Sequence, residues 1–303
     1  MNKLTKLISI FLAVVMVALL AVGCSANTAT PTPAPEITPA ATPAVAAPET
    51  TETAAQASAT GGLLDKVLSS KKLVLGTSAD YPPYEFHAVI DGKDSIAGFD
   101  IELGKAIAKD LGVELEIVDM SFDGLLGALY TGNIDLVIAG MSPDEERKKS
   151  VDFSDIYYQA TQSALIRAED VGAYTSIASL AGKKIGVQLG TIQEDIANEQ
   201  IKDPTVTALT KIGPLVLELK TKKVDAVIME TIVAEKYAAN NPDLVIAPFA
   251  VEYEEQGSAI AVTKGNEDFL EAINGTIAKL ISDGSIDAFV ADANLLADEQ
   301  MAE

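Results

Sequence analysis

Tyr130-Thr131-Gly132-Asn133-Ile134-Asp135-Leu136-Val137-Ile138-Ala139 and, ninety positions later, Lys220-Thr221-Lys222-Lys223-Val224-Asp225-Ala226-Val227-Ile228-Met229 set down one phrase twice. Each copy is a polar approach, an aspartate and then an unbroken apolar run, which reads as a strand buried on both faces of a parallel sheet. A second echo occurs in the same order, with Lys71-Lys72-Leu73-Val74-Leu75-Gly76-Thr77 answered by Lys183-Lys184-Ile185-Gly186-Val187-Gln188-Leu189-Gly190-Thr191. Between the first copies the periodicity predicts strands over Leu73 to Thr77, Val113 to Val118 and Ile134 to Ala139, with helices over Phe99 to Leu111 and Phe122 to Tyr130. That order is βαβαβ. Two ordered matches imply a duplicated unit, and hence an α/β chain of two Rossmann-like lobes.

Ligands of open α/β sheets bind beyond the carboxyl ends of the strands, so two such lobes would share a cleft there. The first lobe ends its third strand on Gly140-Met141-Ser142-Pro143-Asp144-Glu145-Glu146-Arg147, and the second ends its equivalent at Glu230. Ser142 with Glu145, and Thr191 with Glu194, have the spacing of capping boxes at helix starts. The N–H groups at a helix start also suit a carboxylate. Gly140 would permit close backbone approach, and Arg147 would offer a fork matched to a carboxylate. Glu230 would face an ammonium. Tyr81, stiffened by Pro82-Pro83, and Phe122 would supply aromatic walls. A site positive on one lobe and negative on the other fits a zwitterion. Each of these residues also has a plain structural use, as a helix cap, a surface arginine beside Lys148 and Lys149, or a core aromatic.

The chain has 303 residues, with 22 Lys and Arg against 44 Asp and Glu, one His and one Cys. A net charge of −22 gives no footprint for a phosphate backbone, which excludes nucleic acid as a partner. A single Cys and a single His exclude a zinc finger or a disulfide framework, so no metal and no cofactor is expected. At the amino end, Lys3 and Lys6 precede an apolar run from Leu7 to Val22 broken only by Ser9. That is a secretion signal over 1–23, too short to span a bilayer. Loss of the leader would take the charge to −24. Leu20-Ala21-Val22-Gly23-Cys24 resembles the lipobox of bacterial lipoproteins, in which the cysteine, here Cys24, is acylated. Residues 24–62 are an Ala/Thr/Pro tether whose reach would be about 35 Å as a flexible coil and about 120 Å as polyproline. The globular body starts at 63.

The body resembles the polar amino-acid-binding proteins of ATP-driven bacterial importers, which have the type II periplasmic-binding-protein fold. The resemblance covers 70 to 292 and rests on Tyr81-Pro82-Pro83-Tyr84-Glu85-Phe86, Gly98-Phe99-Asp100-Ile101-Glu102-Leu103, Ala139-Gly140-Met141-Ser142 with Glu146-Arg147-Lys148-Lys149, and Val151-Asp152-Phe153-Ser154-Asp155-Ile156-Tyr157-Tyr158. It implies a lipid-anchored monomer outside the cytoplasmic membrane that delivers an amino acid to an ABC importer permease. By this resemblance Tyr81 and Phe122 stack on the ligand side chain, Gly140 and Ser142 meet its backbone groups, and Arg147 clamps its carboxylate. Thr191, Ile192 and Gln193 add contacts from the second lobe, and Glu230 pairs with the ammonium. The family more often has Asp where Glu230 stands, and usually Ser or Thr where Asp144 stands, so Asp144 would repel the carboxylate unless it turns away or meets a cationic group of the ligand. Relatives that take basic amino acids often carry an acid at the position of Ser78, and its absence weighs against Lys, Arg or His as ligand. The resemblance also implies two hinge crossings, near Tyr157 to Thr161 and Glu254 to Gly257, with one lobe over 63–160 and 256–303 and the other over 161–255. Two other readings use the same residues. One is an enzyme on this fold, dehydratase-like or cell-wall-lytic, with Glu85, Glu230 or Asp144 as acid or base and the lone His87 on a loop. The other is a surface protein that needs no ligand.

Overall fold

The two aspartates of the repeated phrase do the same work in the fold. Asp135 Oδ2 accepts the N–H of Val74 at 2.9 Å while its own N–H donates to Val74 O at 2.8 Å. Asp225 repeats this with Lys184, at 3.0 and 2.7 Å. Each aspartate thereby pins the strand it precedes to its neighbour and satisfies two backbone groups of that interior strand. The computed structural model describes residues 62–301 apart from 255 and 256. The leader, Cys24 and the tether before residue 62 lie outside the described residues.

In chain order the elements are α1 (Leu63–Ser70), β1 (Lys72–Thr77), β2 (Asp80–Tyr81), β3 (Glu85–Ile90), β4 (Lys93–Ala97), α2 (Phe99–Leu111), β5 (Glu114–Asp119), α3 (Leu125–Tyr130), β6 (Leu136–Val137) and β7 (Val151–Phe153). There follow β8 (Gln162–Arg167), β9 (Lys184–Gln188), α4 (Ile192–Gln200), β10 (Thr205–Leu209), α5 (Ile212–Lys220), β11 (Ala226–Glu230), α6 (Thr231–Asn240) and β12 (Leu244–Ile246). The last are β13 (Ala261–Thr263), α7 (Glu267–Ser282) and α8 (Ser285–Met301).

Two five-stranded sheets result, ordered β5-β1-β6-β13-β7 and β10-β9-β11-β8-β12. The first three strands of each are parallel and correspond one to one, which is the duplication the repeat announces. The outer part of each sheet differs from the parallel expectation. β13 runs antiparallel to β6 and β7, and β8 runs antiparallel to β11 and β12. The chain leaves the first sheet after Phe153 and returns to it at Ala261. The outward and returning segments pair, with Tyr158 opposite Ser258 and Gln162 opposite Val251.

α2 matches its predicted bounds because its pattern is clear at both ends. Ile101, Leu103, Gly104, Ile107 and Ala108 are buried along one face, the i, i+3, i+4 stripe of a core helix. Gly98 stands before it at φ 128°, where an added Cβ would lie 2.0 Å from Tyr84 O. This close approach lets the Phe99 and Asp100 N–H groups donate to the carbonyls of Pro83 and Tyr84. Two other expectations need correction. The helix over Phe122 to Tyr130 opens as a 3-10 turn, Phe122–Gly124, before α3. The strand over Ile134 to Ala139 is laddered only at Leu136–Val137, since the chain turns at Gly140 into the left-handed region at φ 55°.

Candidate functional site

The cavity between the lobes is framed by the carboxyl ends of β1, β5, β6, β9 and β11. It is lined by Ser78, Tyr81, Glu85, Phe122, Ala139, Gly140, Ser142, Arg147, Gln188, Thr191, Ile192, Gln193 and Glu230. Thus Tyr81, Phe122, Gly140, Ser142, Arg147, Thr191, Ile192, Gln193, Glu230 and Ser78 come together from distant parts of the chain. Asp144 is absent from the lining. Glu85, Ala139 and Gln188 are lining residues that sequence reasoning did not assign to a ligand.

The local reasons differ from the expected ones in several places. Ser142 starts no α-helix, because residues 141–146 are irregular and only a 3-10 turn, Arg147–Lys149, follows. Its cap comes from Asp144, whose Oδ1 accepts the Arg147 N–H at 2.7 Å. Asp144 Oδ2 meets Arg147 Nε at 3.1 Å, so this carboxylate is engaged in orienting the arginine. Arg147 is 9% exposed, not a surface arginine. Its Nη1 donates to Ser142 O at 2.7 Å and its Nη2 to Gly190 O at 3.1 Å, the second bond crossing the cleft. Its guanidinium carbon lies 5.4 Å from the Phe122 ring centroid, a cation–π distance. Thr191 stands at the N-cap of α4, but its hydroxyl donates to Gln188 O at 2.7 Å. Glu194 reaches back to the Gly190 N–H at 3.1 Å, one residue before the expected one. Gly140 is close to the Tyr84 ring, and its N–H donates to Asp100 at 2.8 Å.

Acids dominate the opposite wall. Glu230, 2% exposed at the end of β11, accepts from the Tyr84 hydroxyl, while its backbone N–H donates to Tyr81 Oη at 2.9 Å. Burial pushes the Glu230 carboxyl up to about 8, against the pull of the Tyr84 bond. Asp100 lies behind the cavity, and burial pushes it up to about 7 although its Oδ2 accepts from Gly140 N and Tyr157 Oη. Glu85, 1% exposed, is held well above the usual carboxylate range by burial and by the neighbouring Asp100 charge. Glu85 Oε2 and Asp100 Oδ1 have no hydrogen-bond partner, an expensive state for buried polar atoms. Gln193 Nε2 donates to Gln162 Oε1 at 2.8 Å within the second lobe, whereas Asp80 Oδ2 accepts the Ile212 N–H at 2.7 Å across the cleft. His87 lies in β3 and meets Asp94 and Asp119, away from the cavity. Among the described residues no group of three or more His, Cys, Asp or Glu is arranged to hold a metal ion, and no helix is long and apolar enough to cross a membrane.

Residues 73–292 match the model of the bacterial extracellular solute-binding proteins, family 3. The arginine-binding extracellular protein ArtP of Bacillus subtilis is 43% identical over 221 residues, which is 72% of this chain and 84% of that protein. The amino acid ABC transporter substrate-binding protein AbpA of Streptococcus pneumoniae, solved with L-arginine bound, aligns with a TM-score of 0.75 and 41% identity over 77% of this chain and 98% of its own. The ancestral amino-acid-binding protein AncCDT-1, a precursor of cyclohexadienyl dehydratase, aligns with a TM-score of 0.69 and 32% identity over 77% and 99%.

Proposed function

Because the chain belongs to the bacterial extracellular solute-binding proteins of family 3, we propose that it captures an amino acid with a cationic side chain, L-arginine first, and delivers it to an ATP-driven importer. The observation that carries the choice of ligand is Glu85, a buried acid with an unpartnered oxygen in the cavity that also holds Arg147 and Glu230. Arg147 would take the ligand carboxylate, Glu230 its ammonium and Glu85 its guanidinium. Tyr81 and Phe122 would flank the aliphatic stem. Glu85 thereby supplies the acid that Ser78 lacks, and the weight of Ser78 against a basic ligand disappears. The arginine-binding relatives support the same choice.

In this reading the lobes are 63–160 with 256–303, and 161–255, and they close about the two crossing segments. A ligand that bonds both lobes favours the closed state by its differential affinity. Cys24 carries the lipid anchor, and the tether holds a monomeric body off the outer face of the membrane. The protein binds its ligand without turning it over.

The test is thermal unfolding of protein refolded free of carried-over ligand against a panel of amino acids, di-acids and amines. A ligand at 100 times its Kd adds about 2.7 kcal/mol, which for a body of this size is a rise of roughly 5 to 11 °C. L-arginine should give the largest rise and be recovered intact. A flat response, or chemical conversion of the ligand, would overturn the reading. Loss of membrane retention on Cys24→Ala checks the anchor.

A further inference from the structure

Gln193, in the first turn of α4, lines the ligand cavity, whereas Gln162, the first residue of β8, does not. Gln162 lines instead a groove beside the crossing segments, with Thr161, Ser163, Thr231 and Val251. The two side chains are each 6% exposed and share one bond, from Gln193 Nε2 to Gln162 Oε1 at 2.8 Å. Gln193 makes no other side-chain hydrogen bond among the described residues. Gln162 is fixed by its backbone, which lies opposite Glu230 in the β8–β11 ladder and opposite Val251 of the returning segment. A primary amide has an acceptor at one end and two donors at the other. Held only by its stem, a buried glutamine can turn either end to a ligand. The bond to Gln162 ties down the donor end, and turning the Gln193 amide over would break it and set two carbonyl oxygens against each other.

We propose that Gln162 is a positioning residue of the ligand site: it holds Gln193 with the amide carbonyl free for the ligand, so that the second lobe offers an acceptor to the N–H groups of a cationic side chain. The proposal rests on the cationic-ligand reading above. In that reading Arg147 takes the ligand carboxylate and Glu230 its ammonium, which leaves the guanidinium as the donor for Glu85 of the first lobe and Gln193 of the second. The guanidinium has five N–H groups and no acceptor, so it is served by a carbonyl and opposed by an NH2. A ligand carboxylate has the reverse preference, and the fixed carbonyl repels it. Both glutamines belong to one lobe, so their bond does not depend on whether the lobes are open or closed. The amide is therefore set before the ligand arrives, and no rotamer freedom has to be lost there on binding.

Calorimetric titration of L-arginine into the wild type, Gln162→Met, Gln193→Met and the double variant tests this. Gln193→Met should raise the Kd about tenfold or more, as expected for a lost hydrogen bond to a charged group, and Gln162→Met about 3- to 10-fold. In the Gln193→Met background, adding Gln162→Met should change the Kd by less than about twofold, because Gln162 acts only through Gln193. Gln162→Glu keeps the acceptor and should bind arginine at least as tightly as the wild type. Additive losses in the double variant, or a Kd for Gln162→Met within about twofold of wild type, overturn the proposal and leave the arginine reading standing. A loss in Gln162→Glu equal to that in Gln162→Met overturns the assigned sense of the amide, and with it the proposal. No arginine binding by the wild type overturns both readings. Should Gln162→Met fail to fold, the side-chain NH2 of Gln193 in the wild type, identified in the NMR spectrum by its loss in Gln193→Met, must exchange slowly with water before arginine is added. Protection that appears only with arginine overturns the proposal.

Discussion

Asp80→Ala should weaken ligand binding without touching the ligand cavity. Asp80 is on β2, and its Oδ2 accepts the N–H of Ile212, the first residue of α5 in the other lobe, at 2.7 Å. The residue that precedes α5, Lys211, makes no side-chain cap, so the cap comes from across the cleft. Asp80 Oδ1 is also within reach of Ser78 Oγ at 3.2 Å and Gln188 Nε2 at 3.5 Å. Removing a cap costs about 0.5 to 2 kcal/mol, and a carboxylate at a helix start contributes about 0.3 to 1 kcal/mol through the dipole. Burial raises the proton affinity of Asp80 and offsets part of this gain, so we expect a net loss of about 1 to 2 kcal/mol. Because the bond spans the cleft, that loss belongs to the closed state and appears as a Kd raised about 5- to 30-fold. Calorimetric titration with L-arginine measures it. Asp80→Asn keeps the acceptor and should recover most of the affinity. A Kd within twofold of wild type for Asp80→Ala, or an equal fall in Tm with and without ligand, would refute the latch.

Arg147→Ala should cost about 2 to 5 kcal/mol of binding by leaving the ligand carboxylate unpaired in a buried site, and should also lower the Tm of the free protein because Asp144 and Ser142 O lose a buried partner; unaltered affinity would remove Arg147 from the site. Gly98→Ala forces a Cβ into Tyr84 O in a left-handed backbone, so soluble yield and Tm should collapse, by more than about 4 kcal/mol in urea unfolding. The pH dependence of the ligand-free protein follows from Glu230 at about 8 and Asp100 at about 7, both raised on folding. Between their ordinary range and these values the folded state binds more protons than the unfolded, so stability falls as pH rises from 5 to 8. Urea unfolding at those pH values should show the fall, and Glu230→Gln should flatten its upper part. A stability that rises across this window would contradict the buried protonated acids.

How much of this was legible in the sequence depended on range. α2 was readable to the residue because its apolar stripe and flanking Gly98 and Gly112 are local signals. The repeated aspartates were readable as a duplication, but their task, a reciprocal bond to Val74 and Lys184, emerges only when strands pair. The hydroxyl caps failed for two reasons: no α-helix starts at Ser142, and a hydroxyl can donate as well as accept, so in Thr191 the Gln188 carbonyl takes the donor. Asp144 reads in the sequence as a repulsive charge, and only the fold turns it onto Arg147 three residues on. Glu85 was hidden by its position in β3, where strand alternation cannot tell an acid buried beside Asp100 from one facing water. The antiparallel strands were invisible for a similar reason. β13 is three residues long, too short to carry a period, and its place is decided by β6 and β7.

That place also sets an order of assembly. Strands β8 to β12 occupy one continuous stretch, so the second sheet can be completed as soon as the chain has been synthesised through Ile246. The first sheet cannot, because β13 fills the gap between β6 and β7 and arrives last of all the strands. Closing it requires a contact between Val137 and Ala261 across the whole intervening lobe, and contacts of such sequence separation are the slow ones in folding. As the chain emerges amino end first, the lobe that begins first finishes second. Until then its unpaired β6 and β7 edges remain exposed, and that interval is when the protein is most vulnerable to aggregation and proteolysis.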